Sequence, residues 1–297
     1  MADTKAPPQV APKKSMTPSP VSMRTSKPAE NLPFVGKAKK GSRPPKCLFM
    51  ADNGWGKTTL AAHAADPDET VIVMTHDETG FLTLLDNGLA PDCDQAVLET
   101  WAQLTALLKS WIDAPEIKYR VIVFDTMCAF ERLLQKKVCD ENFGGDMSSK
   151  GFGAWRNGPK DCLNGWVSFL KLLEDLNRRG ATIMLLEQIS MKQAKNPVGD
   201  DYLKFVLRSD DLIANVTKDW CSMVLFGRWV TITDNKDSEG KKAGTKGIGG
   251  TERVVVTSNH DAWTAKNQCG LPSVIEISED ITNGWETILS SREGRQA

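Results

Sequence analysis

The stretch Ala51-Asp52-Asn53-Gly54-Trp55-Gly56-Lys57-Thr58 decides the fold. It follows a short apolar run, Cys47–Ala51, and precedes an alanine-rich helical segment, Lys57–Ala65. A strand, a glycine turn and a helix opening on Lys-Thr make up a phosphate loop, G-x-x-x-x-G-K-S/T, here with Ala51 in place of the first glycine. Alanine tolerates an extended conformation at a strand end, so the substitution leaves the loop intact. Gly54 and Gly56 let the backbone curl until successive N–H groups point inward at phosphate oxygens. The helix N-terminus adds its positive end. Lys57 is placed to reach the β- and γ-phosphates, and the Thr58 hydroxyl to hold Mg²⁺. The nucleotide-contacting set is Asn53, Gly54, Trp55, Gly56, Lys57, Thr58 and Thr59. Trp55 inside the loop either covers the nucleotide or faces a neighbour.

Working outward, strand and helix patterns alternate. Val71–Thr75 is a continuous β-branched run, and Tyr119–Thr126 and Ala181–Ile189 read as buried strands. Between them Thr100–Ile112, Ala129–Asn142 and Cys162–Arg178 carry apolar residues at three- and four-residue steps. Strands return at Ser222–Thr231, Arg253–Ser258 and Ser273–Ile277. Continuous apolar strands between helices predict an α/β fold, a mostly parallel sheet with helices on both faces and extra C-terminal strands. Trp101, Trp111 and Trp166, spaced with leucines, read as core.

Three strand ends then gain meaning. Val121-Ile-Val-Phe-Asp125 delivers one carboxylate, Asp125, to the C-terminal edge of the sheet, where it is placed to hold Mg²⁺ through water. After the second strand, Glu78 or Asp77 is placed to polarise an attacking water; helix capping by the acidic pair is the other reading. After the fourth, Gln188 places an amide where it can sense the γ-phosphate.

Composition bounds the rest. The 297 residues carry a net charge of −1, with 40% hydrophobic and 25% charged residues, ordinary for a globular protein. Residues 1–45 carry +7 and nine of the 15 prolines, leaving −8 on the remainder. Such a segment cannot bury enough surface to offset its ordering entropy, so it reads as a disordered basic tail. The folded domain is expected over 46–290, with a flexible C-terminus at 291–297. Its Leu-, Val- and Ile-rich strands never reach 18 uncharged apolar residues, so no membrane span is expected. Seven cysteines, an odd number without a CxxC pair, and an N-terminus without an apolar segment suit a reducing, cytoplasmic setting. The three histidines do not cluster with cysteines at zinc spacing.

The order of parts resembles RecA-like P-loop ATPases, and most of all phage nucleotide-binding proteins that include single-strand annealing ATPases. The matching pieces are MADNGWGKTTLA, DETG after the second strand, VIVFDT, LLEQ before a polar loop, Asp219–Phe226 in the next strand and Trp263–Pro272 (WTAKNQCGLP). The resemblance covers about residues 46–277. In that family AKNR is usual where this chain has AKNQ, so Gln268 departs from the pattern. The resemblance implies a RecA-like fold and ATP- and Mg²⁺-dependent binding or annealing of single-stranded DNA. It further implies a homo-oligomer, a single-strand DNA-binding protein as a partner, and a host-cell cytoplasmic location for a phage-encoded chain. Two loops would face DNA. Gly144–Lys160 carries Lys150, Phe152, Trp155, Arg156 and Lys160; Ser190–Arg208 carries Lys192, Lys195, Tyr202, Lys204, Phe205 and Arg208. Lys266 would reach a neighbouring subunit's γ-phosphate; a solvated turn residue, or contact with its own nucleotide, is the other reading. Two further readings stand beside this one. A nucleotide-gated assembly or adaptor protein would not use DNA as substrate, and a small-molecule kinase would need a closing lid. A helical lid of the AAA+ kind is not expected, because the chain returns to strands after Gln188.

Overall fold

The computed structural model describes residues 43–236 and 242–292. Residues 1–42 of the basic tail, 237–241 and the last five residues lie outside this range. β1 (Lys46–Ala51) leads through the glycine loop into α1 (Lys57–Ala62). β2 (Thr70–Thr75), α2 (Gly80–Asp86), β3 (Asp94–Leu98) and α3 (Trp101–Asp113) follow. Next come β4 (Val121–Asp125), α4 (Met127–Asn142), α5 (Asn157–Arg178), β5 (Thr182–Ala194) and β6 (Tyr202–Leu207). α6 (Asp211–Trp220), β7 (Met223–Lys236), β8 (Lys242–Val256), the two-residue β9 (Lys266–Asn267), β10 (Val274–Ile277) and α7 (Gly284–Ser290) complete the chain order.

The sheet runs β10-β8-β7-β1-β5-β4-β2-β3. The six strands from β7 to β3 are parallel. β8 and β10 add on in antiparallel fashion. This is the mostly parallel α/β arrangement expected from the sequence, with its extra C-terminal strands. The central strands are buried on both faces, so β1, β2 and β4 read as unbroken apolar runs.

Each face has its own core. One packs Trp101, Phe124, Phe130, Trp166 and Phe169 beneath α3, α4 and α5. The Trp166 indole donates to Thr217 Oγ1 at 2.8 Å, satisfying its buried N–H. The other packs Phe49, Trp55, Leu60, Phe81 and Trp285 beneath α1, α2 and α7. Trp101 and Trp166 are core as expected; Trp111 is half-buried against Tyr119.

Several local readings change. Gly80–Asp86 and Asp94–Leu98 form a helix and a strand that the sequence pattern did not reveal. The polar stretch after Gln188 is not a loop: β5 runs on to Ala194 and pairs antiparallel with β6 from Ile189↔Leu207 to Ala194↔Tyr202. Asp219 and Trp220 end α6 rather than begin a strand. Asp210 caps that helix, its side chain accepting from Leu212 N–H at 3.0 Å. Among the described residues, no helix is long and apolar enough to cross a membrane.

Candidate nucleotide site

The register of the parallel strands assembles the site. Ala51 of β1 lies opposite Gln188 of β5, Leu186 of β5 opposite Asp125 of β4, and Asp125 opposite Met74 of β2. The phosphate loop, Gln188, Asp125 and the β2–α2 turn with Glu78 therefore meet at one edge of the sheet. They line a cleft of about 400 Å³ with Asn53, Thr59, Arg253 and Ile281.

Gly54 and Gly56 adopt φ of 75° and 106°, conformations that side chains resist. Lys57 curls back, its ammonium donating to the carbonyls of Ala51 at 2.8 Å and Asp52 at 2.9 Å. The residue standing for the first glycine thus anchors the lysine through its backbone. Burial pulls the Lys57 pKa down, with Asp125 and Glu187 acting against it. Thr58 Oγ1 donates to Asp125 Oδ2 at 2.6 Å. Burial raises the Asp125 carboxyl to about 6, opposed by the Thr58 hydrogen bond. A hydroxyl and a carboxylate brought together at the mouth of a phosphate loop form a hard-oxygen pair that suits Mg²⁺. The two would hold that ion, whose charge offsets that of the phosphates.

Glu78 lines the cleft, but its carboxylate is not free. It accepts from Thr126 Oγ1 at 3.3 Å and pairs with Arg132 at 3.4 Å. Gln188 Oε1 accepts from the Arg208 guanidinium.

Trp55 does neither thing the sequence allowed. It is 0% exposed and packs under the loop, 5.1 Å from Phe49 between ring centroids. A Cβ on Gly227 of β7 would lie 2.8 Å from its indole, so glycine there makes room for the ring. Its backbone stays in the loop, where the Trp55 carbonyl accepts from Arg253 Nε at 2.9 Å. Sequence reasoning missed Arg253. It comes from β8, two strands away from β1, and no motif flags it; its guanidinium also donates to the Glu279 carbonyl and lies over Trp229.

Lys266 is not brought to this cleft. β9 pairs with the first residues of β7, Val224↔Lys266, and Val224 in turn lies opposite Leu48 near the start of β1. That is the sheet end away from the phosphate loop. Its ammonium donates to the carbonyls of Lys218 and Asp219 in the last turn of α6. Contact with its own subunit's nucleotide is therefore excluded.

The residues expected to face DNA fall in two exposed places. Trp155 is 90% exposed and Lys150 is also exposed. Phe152 is core rather than a stacking ring: it is buried 5.6 Å from the Phe143 ring. Arg156 holds both carboxylate oxygens of Asp210, at 2.9 and 2.8 Å. Lys192 pairs with Asp211 at 3.2 Å, and Lys195 is exposed where β5 ends and the hairpin turns. Both places thus meet at the N-terminus of α6.

Behind Gln188 lies Glu187, 0% exposed, which accepts from Ser209 Oγ at 2.6 Å and from the Gln188 N–H at 2.8 Å. Burial pushes its carboxyl up to about 7 despite these hydrogen bonds. The folded chain then holds this proton more tightly than the unfolded chain, whose value is near 4.5. Stability is accordingly expected to fall as pH rises from about 4.5 to about 7. Glu187→Gln should flatten melting temperature against pH over that window. Asp125, raised to about 6, shifts stability in the same direction and leaves a residual slope. An unchanged slope would count against the raised carboxyl.

A family profile described as an AAA domain matches residues 43–269. A crystal structure of the RadB recombinase is 13% identical, with a TM-score of 0.39, and the alignment covers 81% of this chain and 91% of that one. No curated protein matches. The profile match agrees with the P-loop ATPase reading of the sequence. Among the described residues the C-terminal part is indeed mostly strand, β7 to β10.

Proposed function

The chain belongs to the AAA domain family, and from that premise we propose that it hydrolyses ATP with Mg²⁺ and uses the cycle to bind single-stranded DNA during annealing or recombination. At the coarser level it is a nucleotide-binding P-loop ATPase. Lys57 and the loop N–H groups hold the phosphates. Glu78 orients the attacking water, with Arg132 fixing its carboxylate. Gln188 reports whether the terminal phosphate is present.

One observation carries the DNA reading. Trp155 and Arg156 adopt φ of 51° and 58°, left-handed conformations in two successive non-glycine residues. Such strain persists only where surrounding contacts enforce it, and it clusters at binding sites. Here it holds an indole in water, with Arg156 next in the chain and the Lys160 ammonium on the Trp155 carbonyl at 3.3 Å. Rings stack on bases and cations meet phosphates in this combination. The β5–β6 hairpin adds Lys192 and Lys195 on the far side of Asp210 and Asp211. With −8 on residues 46–297, the path is narrow rather than a broad basic face.

Trp155→Ala with Arg156→Ala is expected to weaken single-stranded DNA binding roughly tenfold or more, since stacking contributes about 1–3 kcal/mol per base. The melting temperature should move little, because the indole is almost wholly in water and the Arg156 side chain that pairs with Asp210 is itself exposed. Equal affinity in the double variant would remove this turn from the DNA path. ATP hydrolysis measured with and without single-stranded DNA tests the whole reading. Stimulation supports it; a rate indifferent to DNA favours the nucleotide-gated adaptor.

A further inference from the structure

We propose that Arg208 supplies, from within the same subunit, the cation that meets the terminal phosphate of ATP, with the Gln188 side chain as its holder until the phosphate arrives. This rests on the ATPase reading and assigns a role within it.

The placement follows from the hairpin. β6 returns antiparallel along β5, and Ile189↔Leu207 is the pair nearest the sheet edge. One residue further, the Arg208 N–H donates to the Gln188 carbonyl at 3.1 Å. The pairing brings Arg208 back to the edge where the phosphate loop, Asp125 and Gln188 converge. Its guanidinium donates to Gln188 Oε1, and Gln188 lines the cleft. Its charge also reaches Lys57, where it opposes the ammonium. A guanidinium has five N–H donors in a planar fork. Among the described residues, Gln188 is the one side chain that takes any of them, so donors remain for a phosphate.

The neutral amide of Gln188 is a weak holder compared with an anion. In the bond to Gln188 only the guanidinium is charged, whereas a phosphate adds the opposite charge and can take two N–H groups side by side. A terminal phosphate in the cleft therefore draws the guanidinium from Gln188 Oε1, and the amide is released to turn. Ser209 and Asp210 come next in the chain, bonded to Glu187 and to Arg156. The arginine that meets the phosphate thus sits at the head of the segment that holds the exposed Trp155–Arg156 turn. ADP lacks the terminal phosphate and leaves Arg208 on Gln188.

The test compares binding of ADP and of the slowly hydrolysed analogue ATPγS, with Mg²⁺, in the full chain and in Arg208→Ala and Arg208→Lys. In Arg208→Ala, ADP affinity is expected to stay within about twofold. ATPγS affinity should fall about tenfold to a hundredfold, the size of a lost hydrogen bond to a charged group. Turnover should fall about 10³-fold, as when an arginine is withdrawn from a transferring phosphoryl group. Arg208→Lys should recover part of the ATPγS affinity through its charge. Equal weakening of ADP and ATPγS, or no change in either, would overturn the assignment. Mixing Arg208→Ala with Lys57→Ala separates the subunits. Activity no greater than the sum of the two proteins agrees with action in cis, whereas recovery on mixing overturns it. Failure of the unaltered chain to bind either nucleotide would instead sink the ATPase reading itself.

Discussion

Lys57→Ala is expected to reduce ATP hydrolysis by about 10²–10³-fold, the loss typical of a group that stabilises charge only as the reaction proceeds. The physical case rests on where the lysine stands. Its ammonium is buried, and it is satisfied by two backbone carbonyls, those of Ala51 and Asp52. It sits beside the Thr58–Asp125 pair, which would hold Mg²⁺. Burial lowers its pKa, so the folded chain spends stability to keep a cation there. Removing the ammonium relieves that cost and orphans two carbonyls, and the two effects oppose each other. A melting temperature close to that of the unaltered chain is therefore expected alongside the lost activity. Phosphate release with Mg²⁺ measures the first, and thermal unfolding followed by circular dichroism the second. Hydrolysis at the unaltered rate would mean that the loop does not hold the reacting phosphates.

How much of this was legible in the sequence depends on the range of the interaction. The phosphate loop is local: eight consecutive residues carry the glycines, the lysine and the threonine, and the strand and helix flank them directly. Asp125 and Gln188 were legible because a buried strand advertises itself as an apolar run and its end falls at the sheet edge. What could not be read were partners brought in by strand order. Arg253 reaches the loop only because β8 lies two places from β1, across β7. Arg208 reaches Gln188 only because the stretch after Gln188 turns out to be a β-hairpin; the β5 extension over Met191–Gln193 is exposed and β6 is an apolar run broken by Lys204, so neither strand shows a clean alternation. Lys266 lies late in the chain, and the two-residue β9 carries it to the end of the sheet away from its own phosphate loop, a placement that no local pattern announces. Phe152 and Trp55 make the same point at the scale of one side chain. Each stands in a glycine-rich loop where exposure is the natural expectation, and each fills a core instead.

Trp55 supports the second large effect. Trp55→Ala is expected to destabilise the fold by about 3–5 kcal/mol, the cost of emptying a large aromatic site in a packed core. For a domain of this size that corresponds to a fall in melting temperature of roughly 6–20 °C. The ring touches Phe49 and presses on Gly227 while its own carbonyl is pinned by Arg253, so it ties the phosphate loop to β1, β7 and β8. Nucleotide affinity should fall as well, although the ring does not line the cleft, because the loop loses the anchor that fixes its curl. A second substitution separates this account from a general loss of fold. Gly227→Ala alone forces a methyl to within 2.8 Å of the indole and should destabilise the protein. Placed on Trp55→Ala, the same methyl enters space the ring has left, and its cost should vanish or reverse. The two changes touch the same volume, so their effects should be non-additive. Additive losses in the double variant, measured by denaturant unfolding, would show that Trp55 and Gly227 do not share a packed contact and that the loop is anchored by something else.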